Sequence, residues 1–232
     1  MVYPELPARV AEVRGRIAAA VARGGHGQAV RLIAVTKTHG PEAVREAWAA
    51  GITDVGENKV QEAAAKQEAL ADADCTRGGV RWHLIGHLQT NKAKALPRFA
   101  LFHALDRDGL VDAADAVGRK VGRPIDVLVQ VNISGEESKG GYAPAEVPAL
   151  AERLHTCAGL VVRGVMTMAP FDAEEATLRA VFRGARGARA VLAAAGHPAV
   201  ELSMGMSGDY EVAVEEGATL VRLGTVLFGA RG

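Results

Sequence analysis

Three short stretches carry side chains whose types and spacing could do chemistry. "RLIAVTKTHG", residues 31–40, runs from a continuous apolar segment into Lys37 and then into polar, turn-forming residues. A lysine whose stem passes through apolar surroundings has its ammonium form desolvated, which frees the neutral amine to attack an aldehyde. Taken alone, Lys37 is better read as a lysine that snorkels from a strand end to solvent. "SMGMSGD", residues 203–209, offers glycines that permit close backbone approach, the hydroxyl of Ser207, and a helix start behind them where unpaired amides attract anions. "VRLGT", residues 221–225, adds Gly224 and Thr225, a second backbone-plus-hydroxyl pair. Its Arg222 is a guanidinium inside an apolar run, where it must find a partner.

Each fragment alone is compatible with ordinary turn chemistry. Together they ask for a ligand with an aldehyde for the lysine, one phosphate for the glycine-rich cup and a ring nitrogen for a charged partner. Pyridoxal 5'-phosphate (PLP) offers all three. A Schiff-base aldolase acting on a phosphorylated carbonyl substrate would use the same lysine and cup without the cofactor. Nucleotide binding is disfavoured, since the chain has no GxxxxGK[ST] and "RGGHGQ", residues 23–28, precedes a strand instead of following one. His83 and His87 have the i,i+4 spacing that can ligate metal on a helix, but their segment begins as a strand and no third ligand is evident, so no metal is expected.

The elements that must position these groups follow from the apolar pattern. A leading helix is expected from Leu6 to Val21, closed by the glycines at 24, 25 and 27. After it, β-rich runs at 31–37, 54–56, 81–86, 101–106, 125–133, 160–168, 200–204 and 220–228 alternate with helical stretches such as "PEAVREAWAAG" and "DAEEATLRAVFRGARGARAVLAAAG". Strict alternation implies parallel strands with right-handed crossovers, and eight such units are the count that closes a TIM (β/α)8 barrel. "IDVLVQVNI" is apolar nearly throughout, as a strand buried on both faces should be. A doubly wound open sheet is the runner-up, because two of the runs are short. In a barrel the chemistry sits at the carboxyl ends of the strands, and a phosphate site is often built after strands seven and eight, where "SMGMSGD" and "VRLGT" fall.

The 232 residues carry 27 basic and 27 acidic side chains, so no global field favours nucleic acid or an anionic membrane. Cys75 and Cys157 form no CxxC pair, and the amino-terminal segment lacks the order of a signal peptide. No apolar run is long enough to span a bilayer. The expectation is one domain over residues 1–232, in a cytoplasmic protein.

"AVTKTHG", "GENKVQE", "WHLIGHLQTNK", "VNISGEESKGG", "GVMTMAP" and "LSMGMSGDYEVAVEEGATLVRLGTVLFG" together resemble the pyridoxal phosphate homeostasis protein family, single-domain relatives of the N-terminal barrel of alanine racemase. The resemblance covers nearly the whole chain. It implies PLP held as a Schiff base on Lys37, phosphate contacts from Ser207, Gly224 and Thr225, Arg222 against the pyridine nitrogen, and Asn58 on the cofactor face. It also implies a role in vitamin B6 balance, with PLP-dependent apoenzymes as candidate partners. Family members often read "HSLDR" where this chain has "HALDR", and a proline is common in place of His87. The loop at residues 134–141, with Glu136, Glu137 and Lys139, lies in a family motif whose role the residues do not disclose.

A racemase needs acid–base groups on both faces of the bound amino acid. Lys37 could serve one face, and Tyr142 or Tyr210 would have to serve the other. Arg222 beside the pyridine nitrogen disfavours its protonation and weakens the ring as an electron sink. The sequence reading is therefore a PLP-holding protein with little turnover, with a PLP-dependent racemase as the alternative. A chain without the racemase's second domain is expected to be monomeric.

Overall fold

The computed structural model describes residues 2–136 and 139–229. Its strands are β1 (Arg31–Val35), β2 (Asp54–Glu57), β3 (Arg81–Leu84), β4 (Leu101–Leu105), β5 (Ile125–Gln130), β6 (Leu160–Met166), β7 (Glu201–Ser203) and β8 (Leu220–Leu223). They pair in parallel in sequence order, and β8 pairs back onto β1 to close a barrel. This is the expected (β/α)8 architecture, and closure removes the open-sheet alternative. The helices are α1 (Leu6–Gly24), α2 (Pro41–Ala49), α3 (Val60–Ala69), α4 (Asp74–Arg77), α5 (Asp108–Val121), α6 (Val147–Leu154), α7 (Glu175–Ala194), α8 (Tyr210–Glu215) and α9 (Thr225–Phe228).

The leading helix α1 buries Leu6, Val10, Val13, Ile17 and Ala20, a stripe at helical spacing, and packs against α8 and α9. α2 starts at Pro41, whose fixed φ suits a first helical position. Outward-facing strand residues such as Val55, Phe102, Leu202 and Val221 are buried beneath the helix ring. No helix among the described residues is long and apolar enough to cross a membrane.

Successive side chains on a strand face opposite sides, so the inward set is fixed by register. Ile33 of β1 lies level with Asp54 of β2 and Arg222 of β8. His103 of β4 bonds to Ser203 of β7; those strands are not neighbours, so the contact passes through the barrel interior. Gly56, two residues after Asp54, leaves room for Ile33 and Ile85, whose methyls would lie 3.0 and 3.2 Å from an added Cβ. The interior is thus part apolar and part polar.

Several strands end earlier than their apolar runs. β1 stops at Val35, leaving Lys37 in the turn beyond it, and β3 to β7 each end one to three residues short of the expected limit. The largest correction is at 220–228: pairing ends at Leu223, and Thr225–Phe228 forms the short helix α9. Leu227 and Phe228 remain buried there, with the Phe228 ring against Tyr3 and His39.

Candidate functional site

A cleft of about 750 Å³ opens at the carboxyl ends of the strands. Lys37, Asn58, Ser207, Arg222, Gly224 and Thr225, the six residues singled out from the sequence, all line it. They come from the segments after β1, β2, β7 and β8 and from β8 itself, positions up to 188 residues apart in the chain (225 minus 37).

Lys37 sits in a turn that is fastened on both sides. Thr36, fully buried, donates its hydroxyl to Glu57 Oε1 at 2.5 Å, and its carbonyl accepts a hydrogen bond from Lys66 Nζ at 2.7 Å. Thr38 has φ +67°, a left-handed conformation that a β-branched residue adopts only when its surroundings enforce it. Its amide donates to Glu62 Oε1. Lys66 Nζ also bridges Glu57 Oε1 at 2.6 Å and Glu62 Oε1 at 2.9 Å, so one buried cation ties the three oxygens around the turn. Burial pushes the Glu57 carboxyl up, opposed by Lys66 and Thr36. Burial acts the same way on Glu62, but its bonds from Lys66 and the Thr38 amide outweigh it and hold the group below its ordinary value.

Asn58 follows β2 directly, and its backbone crosses Gly86 so closely that a Cβ there would lie 2.4 Å from the Asn58 carbonyl oxygen. On the opposite wall Met206–Asp209 forms a tight turn, closed by Asp209 N–H to Met206 O and by the Met206 amide donating to Asp209 Oδ1 at 2.6 Å. Ser207 Oγ accepts the Val226 amide at 3.3 Å, which joins this turn to the start of α9 beside Gly224 and Thr225. Arg222, only 5% exposed, reaches the cleft floor. Its guanidinium donates to Ser203 Oγ at 2.7 Å and to the Thr167 carbonyl at 3.1 Å. Burial pushes it down to about 10, with the Asp209 carboxylate acting against that, so it stays charged at neutral pH.

Residues that the motif reading passed over complete the cleft. His39, Asp106, Gln130 and Met168 line it. His87 Nδ1 bonds Asp106 Oδ2 at 2.7 Å at the rim, whereas His83 lies inside the barrel, so the two histidines face different surroundings. In the 134–141 loop, Asn132 Nδ2 donates to the carbonyls of Glu136 and Lys139, and Lys139 pairs with Glu136 at 2.8 Å and lines the cleft. Glu137 lies outside the described residues. Tyr142 and Tyr210 are held elsewhere. The Tyr142 hydroxyl donates to Asp108 Oδ1 at 2.9 Å, and burial first and Asp108 second push it up, away from what a base requires. Tyr210 is buried in α8, and burial and Glu211 likewise push its hydroxyl up.

Comparison with known proteins fixes the family. The alanine racemase N-terminal domain model matches residues 11–232. The pyridoxal phosphate homeostasis protein of Aquifex aeolicus (strain VF5) is 42% identical over 226 residues, covering 96% of this chain and 97% of that protein. The chain belongs to the pyridoxal phosphate homeostasis protein family. A Pseudomonas aeruginosa member of the family is 43% identical over 224 residues, covering 96% of this chain and 94% of its own. PipY of Synechococcus elongatus PCC7942, solved with PLP bound, is 37% identical with a TM-score of 0.85 over 97% of this chain and 100% of its own. Alanine racemase from Corynebacterium glutamicum, at 16% identity and a TM-score of 0.70, shares the fold over 94% of this chain and 62% of its own. The pyridoxal phosphate homeostasis family thus accounts for the barrel, the leading helix and the motifs around the cleft.

Proposed function

We propose that this chain holds PLP in the cleft at the carboxyl face and serves intracellular PLP homeostasis, with little or no turnover of its own. The observation that carries the reading is the convergence of Lys37, Arg222 and the Ser207–Gly224–Thr225 wall on one cleft. The donor set fits the group. The bound cofactor would supply an aldehyde carbon for covalent attachment, a phosphate and a pyridine nitrogen. Lys37 Nζ, on the fastened Thr36–Thr38 turn, would be the amine for the aldehyde. Ser207, Gly224 and Thr225 would hold the phosphate. Arg222, charged and anchored by Ser203 and Thr167, would serve the ring nitrogen as a hydrogen-bond donor and disfavour its protonation. Asn58 would line the ring's side of the cleft. Within this reading the chain is one barrel domain over residues 1–232, cytoplasmic and monomeric, and PLP-dependent apoenzymes are candidate recipients. With Tyr142 engaged by Asp108 and Tyr210 buried in α8, the racemase alternative gains no second base from either.

The test is chemical. Native protein incubated with PLP should develop a visible band that borohydride abolishes, and mass mapping should place the reduced adduct on Lys37. Lys37→Ala should lose both band and adduct. No band in the native protein, or label spread over surface lysines, sinks the cofactor assignment. Robust racemisation of an amino acid by purified protein sinks the low-turnover part alone.

A further inference from the structure

The barrel interior contains a polar chain that the cleft chemistry alone does not require. Arg222 NH1 donates to Ser203 Oγ at 2.7 Å, Ser203 Oγ lies 2.8 Å from His103 Nδ1, His103 Nε2 lies 2.9 Å from His83 Nδ1, and His83 Nε2 lies 2.9 Å from Asp54 Oδ1. All five residues are buried, His103 completely. Asp54 Oδ2 accepts from Arg81 at 2.7 Å and from the Thr53 hydroxyl at 2.8 Å. Asp54 and Arg81 line a second cleft of about 540 Å³, beside α1, on the far side of the barrel from Lys37. The chain therefore runs from one face of the barrel to the other.

Its direction follows from the donor inventory of each group. A guanidinium only donates and a carboxylate only accepts. His83 must therefore present Nε2–H to Asp54, and a neutral His83 leaves Nδ1 as an acceptor. That nitrogen takes Nε2–H from His103, whose own Nδ1 is then an acceptor for the Ser203 hydroxyl. The hydroxyl oxygen is left to accept from Arg222. Every donor points from Arg222 toward Asp54, and every link is used once. A protonated His83 would reverse the two middle links, make Ser203 accept from both sides and strand its hydroxyl proton. It would also place a fourth cation alongside Arg222, Arg31 and Arg81 at a low-dielectric interior. Burial lowers both histidines, most strongly His103, where the neighbouring His83 and Arg222 add to the effect.

Accordingly we infer that His103 and His83 are positioning residues for the cofactor cleft, a one-way hydrogen-bond relay that orients Ser203 and thereby fixes the Arg222 guanidinium at the cleft floor. The inference rests on the cofactor reading of the cleft for its functional consequence, while the relay itself exists without any ligand.

Two measurements test it. Nitrogen-15 NMR of histidine in the cofactor-free protein at pH 7 should show His83 and His103 both neutral with the proton on Nε2; a cationic His83, or an Nδ1–H form of His103, overturns the relay. The second uses His103→Gln, which keeps a donor toward His83 but removes the acceptor for Ser203, and His103→Asn, which keeps that acceptor. His103→Gln should raise the Kd for PLP about tenfold, the effect of a lost charge-assisted bond, and shift the absorption maximum of the bound cofactor. His103→Asn should restore both toward native values. Identical PLP affinity and spectrum in the two variants overturns the positioning role. Failure of the native protein to bind PLP, with the tautomers as expected, removes the cofactor reading and that role together. If the variants do not fold, the tautomers of the native protein decide.

Discussion

Lys66 is a buried cation whose three oxygen partners surround the turn that carries Lys37. Removing it should be costly for a specific reason: Glu57 is wholly buried and would be left without a counter-charge, beside the second carboxylate of Glu62. Lys66→Met is therefore expected to lower unfolding free energy by about 3–5 kcal/mol at pH 7, the usual consequence of breaking one half of a buried pair. Adding Glu57→Gln should recover part of that loss, because the uncompensated charge goes with it. Urea unfolding of the two variants checks this, and equal stability of single and double variants would mean that the pair does not hold the turn. Lys37 and Arg222 were legible in the sequence because a cation inside or at the end of an apolar run is conspicuous. Lys66 was not, since Glu62 and Lys66 at i,i+4 read as an ordinary solvated helix pair. Only the packing of α3 on β2 buries it.

At the level of elements, the barrel and its leading helix could be read from the alternation of β-rich and helical runs, but the strand ends could not. Gly86 and Met168, beyond the last paired residues of their strands, continue the apolar pattern because they line the cleft, while Ile85 both lines it and still donates its amide to Glu57 O at 2.9 Å. Burial without a ladder partner has the same composition as burial within one. The reading of 220–228 as one strand failed likewise: Val226, Leu227 and Phe228 are apolar to pack α9 in place. What the sequence also hides is a close contact between β6 and β7. Gly164 has φ +152°, next to an irregularity in the β5–β6 register, and a Cβ there would lie 1.9 Å from the Glu201 carbonyl oxygen. Gly164→Ala must push β7 away, and overpacking of this kind costs about 1–3 kcal/mol, or a fall in Tm of about 2–12 °C for a chain of this length. Gly187, inside α7 with open space where a Cβ would sit, is the matched control. Gly187→Ala should leave Tm unchanged or raise it, as glycine is the poorer helix former. Calorimetry of both variants checks the contrast.

For the molecule as a whole, the interior relay makes stability depend on pH in a window of its own. His83 and His103 are neutral in the fold but take up protons in the unfolded chain near the ordinary histidine value of about 6.5. Below that value the unfolded state binds more protons, so stability is full above about pH 6.5 and is lost as pH falls, by up to about 1.4 kcal/mol per pH unit for each such histidine. Asp54 acts in the same sense at lower pH. Although burial would raise it, the bonds from His83, Arg81 and Thr53 hold its carboxyl far below the ordinary range, so its contribution persists until well under the histidine window. Glu57 and Asp209, both pushed up by burial, work the other way, since the folded state gains their protons first. The sum in native protein is therefore mixed, but a difference isolates the relay. His103→Asn removes one buried neutral imidazole and leaves the other groups in place, so from pH 6.5 to 5.5 its stability should fall less steeply than the native protein's, by up to about 1.4 kcal/mol over that unit. Denaturant midpoints at pH 7.5, 6.5 and 5.5 for both proteins supply the comparison. Parallel pH profiles would mean that His103 takes up its second proton in the fold as readily as in the unfolded chain, and the direction of the relay forbids a cationic His103.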